Sequence, residues 1–152
     1  MKVVAVGVGN SYRSDDRVGL VVAERLRDDA GGAEVITCEQ ESLRLLDAWV
    51  GADLVLVVDA VSSGADAGTV HRFDASEGAL PTRVFRGSTH ALGVGDAIEL
   101  ARTLGRLPDR VLVYGIEGET FTAGDDLSPA VAAAVEPLVS EIREEARCTS
   151  GR

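Results

Sequence analysis

The sequence predicts an α/β fold, a three-layer α/β/α sandwich built on a mostly parallel five-stranded sheet. Apolar runs of strand length alternate along the chain with segments of helical periodicity, which is the pattern of a parallel sheet covered by helices on both faces. Residues 2–8 and 54–58 are almost wholly apolar, as in strands buried on both sides. Residues 69–73 instead alternate polar and apolar side chains, which predicts one antiparallel edge strand.

The elements follow from local signals in chain order. The predicted strands are residues 2–8, 34–38, 54–58, 69–73 and 110–116, with a further short strand compatible with 83–85. The predicted helices are residues 15–29, 43–50, 90–104 and 129–147. Gly31-Gly32 and Gly105 end the first and third helices, and Ser42 and Ser128 are the expected N-caps of the second and fourth. Pro137 is expected to kink the fourth helix. Long loops remain at 74–89 and 117–126. We expect one catalytic domain over 1–147 and a frayed tail over 148–152.

Composition narrows the function classes. The chain has 152 residues and a formal net charge of −10, which argues against binding to nucleic acid or to an anionic membrane. The two cysteines, Cys38 and Cys148, are too far apart for a CxxC metal site and predict free thiols in a reducing compartment. With no signal-peptide pattern and no apolar run near the ~20 residues of a membrane span, we predict a cytoplasmic protein. The pattern shows no sustained surplus of apolar surface, which predicts a monomer.

Three polar residues are predicted to meet at the carboxyl edge of the sheet, where ligands bind in open α/β folds. Asp16 follows the glycine-rich turn after the first strand, Asp59 ends the third strand, and His90 opens the helix after the long loop. Two carboxylates and one imidazole suit a borderline divalent metal such as Zn, Ni or Fe, with coordination positions left open. A helix N-terminus also favours the neutral imidazole that binds metal.

The residues alone leave a second interpretation open. Asp15 or Asp16 would also serve as a helix cap, and His90 by itself would suit a surface or capping position. Asp59 is harder to explain in this way, because a carboxylate ending a buried strand must be paired, desolvated or open to a cleft. His71 lies within the alternating strand and is assigned no function.

Other known site patterns fit less well. A dinucleotide site needs G-x-G-x-x-G, but Tyr12 occupies the third glycine position. A response-regulator receiver places its acidic pair directly after the strand and uses a lysine after the last strand, whereas the single lysine here is Lys2. A serine hydrolase would need a G-x-S-x-G elbow, and neither cysteine has an obvious partner histidine.

Several segments together resemble the hydrogenase maturation endopeptidases, which process the large subunit of [NiFe] hydrogenases. Residues 6–10 and 15–19 are similar to the G-x-G-N…D-[DE]-x-x-G signature of that family, and Asp59-Ala60 resembles its apolar strand ending in D-A. Residues 88–93 resemble its [ST]-x-H-x-[LM]-G segment. Residues 115–117 and 127–129 also fit its last strand and last helix start, so the resemblance covers most of the chain.

The resemblance implies a phosphorylase/hydrolase-like α/β fold and a function. It implies an endopeptidase that recognises nickel already inserted in a large-subunit precursor through Asp16, Asp59 and His90, and then removes a C-terminal extension. The enzyme would hold no permanent cofactor, and the nickel would polarise the scissile carbonyl or activate water with a carboxylate as base. The alternative is a non-proteolytic metal-binding or docking chaperone of metallocentre assembly.

Two departures from the family pattern stand out. Many members have Glu where this chain has Asp16, which shortens the reach by one methylene and keeps the ligand chemistry. After the second strand, members often have an acidic residue and a Gly-Gly-Thr or similar turn, but residues 39–42 here contain no glycine. This turn is expected to face the cleft, so the choice of client hydrogenase stays open.

Overall fold

The computed structural model describes residues 1–39, 42–81, 93–124 and 126–150. Within them, one five-stranded sheet has the order β2-β1-β3-β5-β4, and its neighbouring strands are parallel except for β4 against β5. The strands are β1 Val3–Gly9, β2 Glu34–Glu39, β3 Leu54–Val61, β4 Val70–Asp74 and β5 Arg110–Glu117. The predicted mostly parallel sheet with one antiparallel strand is therefore confirmed; the strand suggested at 83–85 lies outside the described residues.

Helices cover both faces of this sheet. They are α1 Val18–Leu26, α2 Leu45–Ala48, α3 Val94–Thr103 and α4 Pro129–Ser150, with short 3₁₀ turns at Ser14–Arg17 and Ser42–Arg44. One apolar cluster joins the sheet to α1 and α4, and a second joins it to α2 and α3. Along β3, for example, Leu56 and Val58 belong to the first cluster and Val55 and Val57 to the second. A continuous apolar run fits this strand because both of its faces are buried.

Two boundaries near the expected site differ from the prediction. The segment after the first loop begins as the 3₁₀ turn Ser14–Arg17 and becomes α-helical only at Val18. Asp59 does not end its strand, because β3 continues in register with β5 as far as Val61, which pairs with Glu117. Hydrogen bonding to a neighbouring strand therefore extends β3 beyond the point where its apolar run stops.

Three further boundaries also differ. Ser42 is not an N-cap: it lies within a 3₁₀ turn, and its buried hydroxyl has no hydrogen-bond partner among the described residues. The helix expected from His90 begins at Val94, after Gly93 in extended conformation. The last helix starts at Pro129 as predicted but extends through Pro137 to Ser150, so 148–150 are helical rather than part of a frayed tail.

Two glycines set the spacing between α1 and the centre of the sheet. A Cβ on Gly19 would lie 2.3 Å from the carbonyl oxygen of Val8 and 2.4 Å from that of Val58. A Cβ on Gly7 would lie 2.2 Å from the carbonyl oxygen of Gly19. The backbones therefore touch without intervening side chains, which holds the 3₁₀ turn before α1 against β1 and β3.

Candidate functional site

Two of the three predicted site residues lie close together at the carboxyl edge of the sheet. Asp16 is in the 3₁₀ turn between β1 and α1, and Asp59 is near the end of the adjacent strand β3; each is only 2% exposed. Burial raises the pKa of Asp59 well above its ordinary value, and the negative charge of Asp16 raises it further. The structure therefore brings these two carboxylates together at one edge of the sheet.

Among the described residues, one hydrogen bond favours the ionised form of Asp59. The backbone N–H of Ala60 donates to Oδ1 at 2.8 Å, but this bond does not offset the effects of burial and of Asp16. Two buried carboxylates that repel each other are stabilised by a shared proton or by a cation. Their arrangement thus suits an oxygen-rich contact to a metal ion, and such contact requires both groups to be ionised.

Asp15 faces a different set of groups. Its fully buried carboxylate accepts hydrogen bonds from the backbone N–H groups of Glu119 at 2.8 Å and Thr120 at 2.9 Å. It also accepts from the backbone N–H and the hydroxyl of Ser128, each at 2.7 Å. Asp15 therefore joins the loop holding Asp16 to the residue that precedes α4.

Backbone contacts fasten the same two loops together. The N–H of Ser14 donates to the carbonyl of Gly124 at 2.9 Å, and the N–H of Gly124 donates to the carbonyl of Tyr12 at 3.0 Å. Ser14 has φ of +44°, in the left-handed region that is unfavourable for a residue with a side chain. Its hydroxyl also donates to the carbonyl of Thr122. This strained residue lies two positions before Asp16 and is held by the loop after β5.

The third predicted site residue, His90, lies outside the described residues, so its role stays a prediction. Within the described residues, no three His, Cys, Asp or Glu side chains are grouped closely enough to hold a metal ion. Asp16 and Asp59 thus contribute two ligands at most, and the remaining ligands of a bound ion would have to come from His90, from solvent or from a substrate.

A second polar cluster, which sequence reasoning missed, lies at the same edge of the sheet. Glu117, the last residue of β5, is 2% exposed and accepts hydrogen bonds from the backbone N–H of Ser63 at 2.8 Å and from its hydroxyl. The Nε2 atom of His71 lies 3.2 Å from Oε1 of the same carboxylate. We call Ser63, His71 and Glu117 the Glu117 cluster.

Little in the sequence identifies the Glu117 cluster. The sequence assigns no function to His71 and predicts Glu117 at the start of a loop rather than in β5. The alternation within 69–73 does place His71 and Phe73 on one face, and their rings are stacked with centroids 6.2 Å apart. Glu117 contacts this face because of the antiparallel register of β4 against β5, and a single sequence does not specify that register.

Comparison with known proteins places the chain among the endopeptidases. It belongs to the hydrogenase maturation protease family, since the model of that family matches residues 22–145. Asp59 and His90 lie inside the matched range, and Asp16 precedes it. The resemblance inferred from the sequence is thereby confirmed, as is the assignment of the chain as a protease.

Individual relatives extend the match over almost the whole chain. The hydrogenase 2 maturation protease of Escherichia coli K12 is 26% identical over 147 residues, which are 93% of this chain and 88% of that protein. An endopeptidase from E. coli solved in solution has a TM-score of 0.84 at 26% identity, covering 99% of this chain and 94% of that one. The [NiFe] hydrogenase maturation protease HybD of Thermococcus kodakarensis has a TM-score of 0.75 at 25% identity, with coverages of 96% and 99%.

Two further predictions concern the cysteines and membrane-spanning helices. Cys38 is buried, Cys148 is exposed, and the two form no disulfide with each other. No helix in the described ranges is long and apolar enough to cross a membrane.

Proposed function

We propose that this protease removes the C-terminal extension of a [NiFe]-hydrogenase large-subunit precursor after nickel insertion. In this proposal Asp16, Asp59 and His90 contact the nickel carried by the precursor, and the enzyme holds no permanent cofactor. The observation on which it rests is the pair of buried carboxylates at the carboxyl edge of the sheet, in a chain of this protease family. We further propose that the enzyme acts as a cytoplasmic monomer.

The chemistry of the pair supports a metal that arrives with the substrate. Burial and the charge of Asp16 raise the pKa of Asp59, so its carboxyl group holds a proton more tightly than an ordinary one. A divalent cation would displace that proton and neutralise the repulsion between the carboxylates. In this proposal the nickel of the loaded precursor supplies this charge, so loading of the metal would be coupled to docking and cleavage.

Nickel can assist peptide hydrolysis in two ways in this arrangement. It can polarise the scissile carbonyl as a Lewis acid, or it can lower the pKa of a water molecule that attacks that carbonyl. Either way, Asp16 and Asp59 would fix the position of the ion relative to the peptide, and His90 would complete the protein's ligands.

The test is maturation of a purified precursor, loaded with nickel or left without it, with the released C-terminal peptide measured by mass spectrometry. We expect cleavage of the loaded precursor by the wild-type enzyme and loss of at least about 100-fold in rate for Asp16→Asn, Asp59→Asn and His90→Ala. Asp66→Asn, at an exposed carboxylate, is the matched control. Wild-type rates in all three site variants would refute the assignment.

The alternative function, a docking chaperone without cleavage, predicts a different result in the same experiment. The loaded precursor would bind, and its mass would stay unchanged. The membership of this chain in a protease family favours cleavage.

A further inference from the structure

Peptide hydrolysis requires a group that moves a proton from the attacking water to the departing amine. Two carboxylates engaged with nickel would be poor candidates, because a metal-bound oxygen has a lone pair committed to the ion. The group that carries the proton should therefore be a titratable side chain that lies near Asp59 and outside the proposed nickel site. His71 of the Glu117 cluster satisfies both conditions.

The strand register places His71 beside Asp59. Gly115 of β5 pairs with Asp59 on one side and with His71 on the other, so the three residues form a row across β3, β5 and β4. Neighbouring strands are about 4.8 Å apart, which puts the Cα atoms of Asp59 and His71 roughly 9–10 Å apart. The residue between them, Gly115, has no side chain of its own to separate them.

The two side chains lie on the same face of the sheet. Side chains alternate along a strand, so Asp59 shares a face with Val57, which belongs to the cluster packed against α2 and α3. Phe73 packs against the same cluster, and the ring of His71 stacks on that of Phe73. A peptide lying over Gly115 would therefore have Asp59 on one side and the imidazole on the other.

His71 does not belong to the proposed metal site. Within the described residues it forms no three-residue metal-binding group with Asp16 and Asp59. Its side chain is 20% exposed, whereas the Glu117 carboxylate beside it is 2% exposed. The imidazole is thus partly accessible to solvent, and its partner is enclosed.

Glu117 orients this imidazole. A carboxylate only accepts hydrogen bonds, so the tautomer that fits has the hydrogen on Nε2, which leaves a lone pair on Nδ1. Ser63 also holds the carboxylate, donating from its backbone N–H to Oε2 and from its hydroxyl to Oε1. A buried acid that holds one ring nitrogen while the other exchanges protons is the arrangement that orients histidine bases in other hydrolases.

We propose that His71, oriented by Glu117, is the general base and acid of the peptide hydrolysis; this rests on the proposed placement of the substrate at Asp16 and Asp59. Nδ1 takes one proton from water as the water oxygen bonds to the scissile carbonyl carbon. The carbon–nitrogen bond then breaks, and Nδ1 gives the same proton to the amine nitrogen. The second water proton stays on the new carboxyl group, and the imidazole returns neutral.

The test compares the kcat and KM of wild type, His71→Ala and His71→Gln on nickel-loaded precursor, with Val70→Ala as the control. Val70 neighbours His71 but points to the opposite face and is 37% exposed. We expect kcat to fall about 100-fold or more in both His71 variants with KM changed less than about threefold, and added imidazole to restore part of the rate of His71→Ala. A purely structural histidine would not respond to imidazole.

The outcomes separate this inference from the proposed function. If wild type cleaves the precursor and both His71 variants match it, the proposed function stands and the role of His71 is refuted. A folded His71→Ala whose lost rate imidazole does not restore also refutes it. If His71→Ala is unfolded, the result for His71→Gln decides. A folded His71→Gln with a reduced kcat supports the role of His71, and a His71→Gln with the kcat of wild type refutes it. If wild type cleaves no precursor, both proposals fail.

Discussion

Asp15 and Ser128, which are 113 positions apart in the chain, are joined by two hydrogen bonds of 2.7 Å each. The backbone N–H of Ser128 donates to Oδ1 and its hydroxyl donates to Oδ2. Through this pair, the loop that holds Asp16 is fixed to the start of α4. The geometry of the acidic site therefore depends on an element at the far end of the sequence.

Replacement of Asp15 by Asn should destabilise the fold and slow cleavage. The amide oxygen of Asn can still accept hydrogen bonds. Its NH₂ group cannot accept, and it would face N–H or O–H donors of Glu119, Thr120 and Ser128. Loss of buried, charge-assisted hydrogen bonds predicts a decrease of roughly 2–4 kcal/mol in the free energy of unfolding, measured by urea denaturation. Asp28→Asn, at an exposed position, should change it by less than about 0.5 kcal/mol. Equal stability of the two variants would contradict the role of Asp15.

The effect of Asp15 should also depend on pH. Burial by itself raises the pKa of Asp15, but hydrogen bonds from Ser128, Thr120 and Glu119 outweigh it, so the pKa lies below its ordinary value. The ionised group therefore stabilises the fold above about pH 4, and this contribution is lost as pH falls through the lowered pKa. The melting temperatures of wild type and Asp15→Asn should converge between about pH 5 and pH 2. A constant difference over this range would contradict the prediction.

Asp59→Asn should have the opposite effect on stability. Because the pKa of Asp59 is raised in the fold, its contribution to stability is complete below about pH 4 and is lost as pH rises from there to the raised pKa. The Asn side chain does not ionise, so the variant keeps the stability that wild type loses as pH rises. Its melting temperature at pH 7 should exceed that of wild type by about 2–4 °C for each kcal/mol of unfolding free energy retained. The difference should vanish near pH 3, as followed by circular dichroism. A variant that melts lower at pH 7 would show that Asp59 stabilises the fold.

Gly19→Ala should disturb the site without touching either carboxylate. The new Cβ would lie 2.3 Å from the carbonyl oxygen of Val8, so α1 would have to move away from β1 and β3. We expect a loss of about 1–3 kcal/mol in unfolding free energy, together with slower cleavage, because the turn holding Asp16 moves with α1. Gly78→Ala, whose Cβ would meet no atom within 4 Å, is the control and should behave as wild type in both assays.

Tyr12 should contribute to docking of the precursor. Its side chain is 72% exposed on the loop that leads to Asp16. If the substrate covers this edge, Tyr12→Ser should raise KM about tenfold and leave the melting temperature unchanged, since little burial is lost within the enzyme. The comparison is Leu104→Ser, because Leu104 is 54% exposed but follows α3 before the start of β5, at the opposite edge of the sheet. Equal KM values for the two variants would place docking elsewhere.

Much of the fold could be predicted because its signals are local. The apolar run 54–58 predicted a strand buried on both faces, and Ser128-Pro129 predicted the start of the last helix; both were correct. Where the prediction was wrong, contacts between distant segments decided the outcome. Pairing with β5 extended β3 past Asp59, and a 3₁₀ turn replaced the start of the first helix.

The sequence by itself determined the α/β class and the family resemblance. It also determined that Asp16 and Asp59 lie at the carboxyl edge of the sheet. Residue types and their spacing are sufficient for all three conclusions. Only the tertiary structure showed that Asp15 holds Ser128 and that His71 meets Glu117 beside the row through Gly115. Both relationships depend on strand order and register. These are set by side-chain packing across the whole sheet, which no local stretch of sequence specifies.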